Sequence, residues 1–420
     1  MSRTDQGASL RSLMIPVYAP GILLGTAQGA IIPFTPLTAT SLGATVAIAG
    51  LITAARGLGT MAFDIPAGRL MARVGDRRAM LLGTVTMFIS LVGSALSPNA
   101  LVFGLFTVLY GCAWAIWMLS RMTYISAVVA PLMRGRALSA LGATSRVGAL
   151  AGPLAGALIA HAMGLSDVFY LAAALTVLGG ACFMFGPEHD LRRGDQHARV
   201  SIKSVVSASP KTFAVIGSGS LMVSAMRGSR QIVIPLWGEH VGLSPSTIGV
   251  IFGISAAADL LVSYPAGVLS DRWDRRAAAV PCLALLGLGQ IGLLTTSTLI
   301  GVTIASLVMG IGNGFGSGIV MTLGTDLAPE RGRAQFLAVW RLVSDTGLTA
   351  GPFFLSAVAA VLSFTTGAVA LGAMAVGAAV MFQRSELLKG PSTDAVPQAL
   401  DPATAPPPDT PVSEEPSLEH

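Results

Sequence analysis

Charge is what this chain has least of: over 420 residues, Asp, Glu, Lys and Arg together make up only 11%, where soluble domains carry about 25%. That scarcity, with 53% hydrophobic residues and a mean hydropathy of +0.71, excludes an ordinary soluble domain and reads as a membrane protein. Cysteine is scarce too. Cys112, Cys182 and Cys282 fall inside apolar segments at unrelated depths, which excludes a disulfide framework and a metal-ligand spacing and leaves them as packing residues. The histidines, His161, His189, His197, His240 and His420, sit at helix ends, in loops or in the tail, which excludes a histidine proton relay at mid-membrane. A nucleotide-binding loop, a metal-ligand cluster and a nucleophile elbow are missing as well. The chain therefore reads as no enzyme, with no cofactor and no metal.

What it has instead is a series of apolar runs of about 20 residues or more, the length that crosses a hydrocarbon core of roughly 30 Å. Twelve are expected. Spans 1 to 6 cover residues 14–38, 45–71, 79–97, 100–128, 136–161 and 166–186, and spans 7 to 12 cover 212–237, 246–270, 276–297, 299–325, 334–362 and 364–384. The first run is too long, and too rich in Pro and Gly, for a cleaved signal peptide, so it reads as an uncleaved span. With both termini in the cytoplasm, twenty of the 26 Lys and Arg residues fall in cytoplasmic tails, loops and helix ends, among them Arg77, Arg78, Arg134, Arg136, Arg192, Arg193, Arg275, Arg276, Arg331 and Arg333. The predicted external loops hold none of the 26, so the net charge of +5 is a topology signal and not a nucleic-acid footprint. A multi-pass plasma-membrane protein, in a bacterial inner membrane, is the expectation. Its partners would be the lipid bilayer, protons and a small-molecule substrate, with no nucleic acid, and its working unit a monomer.

Two stretches recur about 200 residues apart. "PAGRLMARVGDRR" from Pro66 pairs with "PAGVLSDRWDRR" from Pro265, and "RGRALSALGATSRVGALAGP" from Arg134 pairs with "RGRAQFLAVWRLVSDTGLTAGP" from Arg331. Each falls at the same place in its set of six spans, as expected of a transporter built from repeats. The predicted organisation is a first half over 1–186, a polar basic cytosolic linker over 187–211, a second half over 212–386, and a disordered tail over 387–420. The tail is rich in Pro, Ala, Ser, Asp and Glu, a composition that buries too little apolar surface to fold.

These motifs resemble those of the major facilitator superfamily, over about residues 14–385. Its loop signature G-x-x-x-D-R-x-G-x-R-R is matched by Gly68, Arg73, Gly75, Arg77 and Arg78, with Ala72 in place of the acid, and in the second half by Gly267, Asp271, Arg272, Arg275 and Arg276, with Asp274 where Gly is expected. The resemblance implies an all-α membrane fold of two homologous six-helix bundles working by alternating access. It also implies that an Asp–Arg network holds the cytosolic side shut. Asp64, one helical turn before Gly68, is placed to compensate in part for Ala72. Span 5 carries Gly148, Gly152, Pro153 and Gly156, which resemble the signature of the drug:proton antiporters. They read mechanically as a small-residue face with a proline pivot, and Gly347, Gly351 and Pro352 give a fainter copy in span 11. The arginine those antiporters carry early in helix 4 has no counterpart: Thr107 stands nearest, and Arg121 lies two to three turns closer to the cytosol.

Six arginines remain inside spans: Arg56, Arg121, Arg146, Arg227, Arg230 and Arg341. A charge at bilayer depth is costly unless it faces the bundle interior, a partner or a wet cavity. Arg56, Arg146 and Asp345 are expected near mid-depth, Arg121 and Arg341 in the inner half, and Arg227 and Arg230 in the outer half with Gln231 four residues after Arg227. Arg341 and Asp345 suit a same-helix ion pair. Asp259 is the better proton carrier, having no basic partner on its own helix, and Asp345 is the second candidate. The in-span arginines outnumber Asp64, Asp259, Asp326 and Asp345, so two or more of them facing a cavity would favour an anion, since the guanidinium fork matches carboxylate and phosphate; bracing of helix packing is the competing role. Gln28, Trp114 and Asn313 complete the expected substrate path. Gating falls to Asp64, Gly68, Arg73, Arg77, Asp271, Arg272, Gly148, Gly152, Pro153 and Arg341.

Three functions stay open on these residues. The first is a secondary transporter moving a small organic solute, by proton-coupled efflux. The second is an organic-anion carrier, working by uptake or exchange through an arginine-lined cavity. The third is a membrane sensor without transport.

Overall fold

A computed structural model describes residues 18–129, 134–184, 210–328, 333–385 and 388. The linker expected up to residue 209, the tail beyond 388, Arg192, Arg193 and Arg331 lie outside the described residues, as do the side chains of Arg134, Arg136 and Arg333. The described chain is helical. The first six helices are α1 (Ala19–Ser41), α2 (Val46–Val74), α3 (Asp76–Ala95), α4 (Ala100–Val128), α5 (Arg134–Ala162) and α6 (Leu165–Met184). A π-helical turn over Phe213–Gly217 then leads into α7 (Ser218–His240), followed by α8 (Pro245–Arg272) and α9 (Arg276–Leu293). The tenth pass is α10a (Leu299–Phe315) and α10b (Ile319–Leu327), and α11 (Arg333–Val361) and α12 (Phe364–Arg384) complete the set.

Most boundaries agree with the expected spans to within a few residues, and two places differ. The first helix, described from Ala19, runs three residues past its expected end, to Ser41, through Pro33 and Pro36, and residues 14–17 lie outside the described residues. The tenth pass, expected as one run over 299–325, is broken: Gly316 ends α10a and Gly318, at φ +85°, opens α10b. A side chain at that left-handed angle is strained, which is why glycine stands at the break. Eleven of these passes are long and apolar enough to cross a membrane. The remaining one, α7, is diluted by Arg227, Arg230, Gln231 and Glu239.

Short turns join the helices at the end away from the termini, called here the distal end. There the helix starts are closed by side-chain caps: Thr45, Asn99, Ser244, Thr298 and Ser363 each accept from a backbone N–H two or three residues on, which satisfies donors that a helix start leaves bare. Two hydrophobic clusters centre on one half each, although the first also takes in Ile232 and Leu236 of α7, and a smaller cluster joins Phe34 and Leu37 of α1 to Ile248 of α8. The first is built round Phe103, Trp117, Phe169 and Phe183 of the first half, the second round Met226, Leu283, Met309 and Phe382 of the second. Between the halves, α2 packs along α11 and α5 along α8, with α1 against α7.

A shift of 199 residues superimposes the two halves, carrying Pro66 onto Pro265 and Pro153 onto Pro352. The packing obeys the same shift. Gly111 of α4 lies against the carbonyl of Arg56 in α2, and Gly310 of α10a lies against the carbonyl of Ser255 in α8. Likewise Gly152 meets the backbone of α1 at Gly29 and Ala30, and Gly351 meets the backbone of α7 at Ala225. In each case the missing side chain is what lets two helices approach at backbone distance.

Candidate functional site

α7 carries the densest polar face. Arg227 and Arg230 stand three residues apart, on neighbouring faces of one helical turn. The Nε of Arg227 donates to Oδ1 of Asn313 at 2.9 Å, and Asn313 in turn donates from Nδ2 to the Asp259 carboxylate. A chain of α7, α10a and α8 is thereby closed just before the break in the tenth pass. Cys282 of α9, fully buried, lies within electrostatic reach of both Arg227 and Asp259. Arg230 is only 7% exposed, and its guanidinium sits over the Phe252 ring at 5.2 Å. Asp259 lies within electrostatic reach of it, yet Nη1 of Arg230 is buried without a hydrogen-bond partner among the described residues.

The first half meets this group through Arg56. Its Nη2 donates to Oε1 of Gln231 at 2.8 Å, from α2 across to α7, and Tyr110 of α4 lies within electrostatic reach of it. Tyr110 stacks on Trp114 (6.3 Å between centroids), and Trp114 lies 5.3 Å from Trp117. Trp114 is half-buried and Trp117 buried. Gln28 is half-buried on α1.

Five expected residues, Arg121, Arg146, Arg341, Asp345 and Asp64, lie apart from this constellation. Arg121 is 3% exposed; its Nη2 donates to the Leu141 carbonyl (3.4 Å) and the Thr144 hydroxyl (3.3 Å), and its guanidinium lies 4.8 Å over Trp117. These partners all belong to the first half, so Arg121 joins α4 to α5. Arg146 of α5 donates to Ser263 of α8 at 2.9 Å. On the opposite flank, Arg341 and Asp345 of α11 pair at 3.5 Å, and Asp64 of α2 lies within electrostatic reach of both. At the distal end the halves are tied by the Thr40 hydroxyl, which donates to Glu239 at 2.8 Å.

At the end where α1 begins and α12 ends, the second-half acid works through Arg275. Asp271 pairs with Arg275 at 2.6 Å while Arg272 is exposed, and Arg275 also holds Asp326 of α10b at 2.8 Å. Burial draws the Arg275 guanidinium's pKa down, but the hydrogen bonds and charges of Asp271 and Asp326 outweigh it and the net shift is upward. In the first half, Arg73 is exposed and Gly68 half-buried. Arg77 donates to the Met184 carbonyl at the end of α6, and Arg276 donates to the Gln383 and Ser385 carbonyls at the end of α12. Each caps bare carbonyls and complements the negative end of a helix dipole.

Sequence reasoning missed Phe252, Tyr110 and the placing of Cys282. None had a local signal, because each matters only through a neighbour from a distant helix. Among the described residues no group of three or more His, Cys, Asp or Glu is placed to hold a metal.

Comparison with known proteins places this geometry. The chain is 23% identical to the "Multi-drug resistance efflux pump PmrA homolog" of Lactococcus lactis, over 87% of this chain and 92% of that protein. It is 24% identical to "Multidrug resistance protein MdtG" of Escherichia coli, over 84% and 88%, and 27% identical to the "Chloramphenicol resistance protein" of Streptomyces lividans, over 67% and 75%. Its fold is similar to that of a POT family transporter solved in complex with 5-aminolevulinic acid, with a TM-score of 0.72 at 16% identity over 91% and 96% of the two chains. A bacterial homologue of the lysosomal transporter Spinster, solved inward-facing and unoccupied, gives a TM-score of 0.69 at 15% identity over 90% and 96%. The profile of the Major Facilitator Superfamily matches residues 21–226 and again 216–411. With twelve passes in two repeated halves, and the profile found once in each, the chain belongs to the Major Facilitator Superfamily.

Proposed function

We propose that this chain exports a small organic solute by proton-coupled alternating access, with the Arg227–Asn313–Asp259 group as the centre of the solute path. The observation that carries the reading is the Arg56–Gln231 hydrogen bond. It joins the two halves at Gln231, the residue after Arg230, which lies within electrostatic reach of an acid held by a neutral amide. A secondary transporter places its site where its repeats meet, and a bond across that meeting place must change when the halves rock. The efflux pumps named among the relatives support outward transport. Asp259 carries the proton, and Asp345, paired with Arg341 and facing Asp64, is the second acid in reach of the boundary between the halves. Gln28 and Trp114 complete the solute path from the first half. Gly148, Gly152 and Pro153 form the pivot, and Asp271 with Arg275 forms the latch at the end carrying the termini.

The excess of Lys and Arg in the tails and in the loops at that end supports a cytoplasmic location for both termini. The chain works as a monomer in a bacterial inner membrane and carries out no covalent chemistry. Purified protein in liposomes tests the reading with ethidium, chloramphenicol and 4-toluenesulfonate as cationic, neutral and anionic probes. Export of at least one driven by an imposed pH gradient is expected. Absence of both gradient-driven export and counterflow for all three would sink it.

A further inference from the structure

We infer that the exported solute carries an anionic group, a carboxylate, sulfonate or phosphate, that docks on Arg230 beside Arg227; this rests on the transport reading above.

The argument starts from charge balance. Arg227 and Arg230 stand round one acid, Asp259, and Arg56 reaches the same stretch of α7 through Gln231. Arg56 is bonded to the neutral amide of Gln231 and Arg227 to the neutral amide of Asn313. Asp259 makes no ion pair within 4.0 Å among the described residues. It is held by Asn313 instead. Glu239, the other acid of α7, is engaged by Thr40 at the distal end. The group therefore carries more positive charge than it neutralises, in a medium where an unpaired charge is costly.

Arg230 is where that imbalance is sharpest. It is more than nine-tenths buried, one face is covered by Phe252, and Nη1 lacks a hydrogen-bond partner among the described residues. A buried donor left unmade is destabilising unless something completes it. Arg121 makes the contrast: equally buried, over a ring and with its own Nε unpartnered, it is still tied to a carbonyl and a hydroxyl of α5, the pattern of a structural brace. Arg230 makes no hydrogen bond or ion pair among the described residues, and a planar oxyanion is the group that its fork fits in two bonds. Asn313 keeps the Asp259 carboxylate engaged, taking Nε of Arg227 and leaving the Arg230 fork untouched. The anion thus supplies the negative charge that the protein itself leaves out.

Purified full-length protein is titrated with 4-toluenesulfonate, benzoate and phenyl phosphate, with tetraphenylphosphonium and chloride as comparisons, reading thermal unfolding and tryptophan fluorescence. Counterflow of the same probes is measured in liposomes. At least one organic anion is expected to bind and to exchange, while the phosphonium and chloride do neither. Arg230→Lys keeps the charge but loses the fork, and should weaken the anion at least tenfold with ligand-free unfolding unchanged. Should that variant fail to fold, Asp259→Asn keeps the test open, because removing the acid should tighten the anion several-fold. Counterflow of the phosphonium alone overturns the anion inference and leaves the transport reading standing. Anion binding without any flux does the reverse. An anion affinity that moves in neither variant overturns the inference.

Discussion

Arg146 of α5 donates to Ser263 of α8 at 2.9 Å, and the 199-residue shift carries that pair onto Asp345 of α11 and Asp64 of α2. The two flanks between the halves are thus the same place in the repeat, built with different chemistry. One is a cation on a hydroxyl. The other is two carboxylates sharing Arg341, for which the shift supplies Gly142 in the first half. A proton or a solute that changes charge near the boundary therefore acts on one flank more than on the other.

Removing Arg341 leaves Asp64 and Asp345 facing each other without their cation. Because the Arg341 and Asp345 side chains are 56% and 38% exposed, Arg341→Ala should cost only about 1 kcal/mol or less. Asp64→Asn in the same chain should return part of that loss. Thermal unfolding of the single and double variants checks this, and strictly additive losses would remove the shared cluster.

Asp259→Asn should abolish export driven by a pH gradient while counterflow of the same solute persists, since the amide keeps a polar partner for Asn313 but cannot carry a proton. Transport assays on one preparation, with and without the gradient, read both quantities. Unchanged gradient coupling would move the proton to another acid, Asp345 first.

Gly152→Val should lower stability by about 1–3 kcal/mol, the usual range for overpacking a close contact, because a Cβ there would stand 2.5 Å from the backbone N of Ala30. Gly351→Val, its counterpart in the second half, should cost a similar amount against α7. Unfolding curves for the two variants should therefore match; a harmless Gly152→Val would show that α1 and α5 can part freely.

At the break in the tenth pass the two glycines should differ. A Cβ at Gly316 would stand 2.5 Å from Sγ of Cys282 and 2.9 Å from Nη2 of Arg227, whereas at Gly318 it meets open space. Gly316→Ala should therefore depress transport strongly, and Cys282→Ala should restore part of it. Gly318→Ala should instead cost about 1–2 kcal/mol in stability from its left-handed angle and leave transport closer to normal. The opposite ranking in a transport assay would place the break outside the solute path.

The scaffold was legible because small residues recur with it. Gly148 and Gly347, Gly152 and Gly351, Gly111 and Gly310 keep the repeat, since each marks a helix crossing that both halves need. The residues of the candidate site do not keep it: the shift pairs Gln28 with Arg227, Arg56 with Ser255 and Trp114 with Asn313. Individual charges could therefore be singled out along the chain, but not their partners. Arg56 and Gln231 are 175 residues apart, and no periodicity joins them. The run GIGNGFGSG round Asn313 is rich in glycine, but nothing in it marks the residue at which the helix parts. The signature offers Asp271 three arginines without saying which it pairs with, and the helical rise brings Arg275, one turn on, within reach.

The parted tenth pass has a mechanical consequence. α10a is pinned to the middle of α8 through Asn313 and Asp259, and α10b is pinned to the foot of α8 through Asp326, Arg275 and Asp271. Two rigid rods hinged at Gly318 and fastened to a third at two points form a closed linkage. Swinging one rod about the hinge obliges the other to tilt, so a rearrangement at the solute's level is geared directly to the opening at the foot of the bundle.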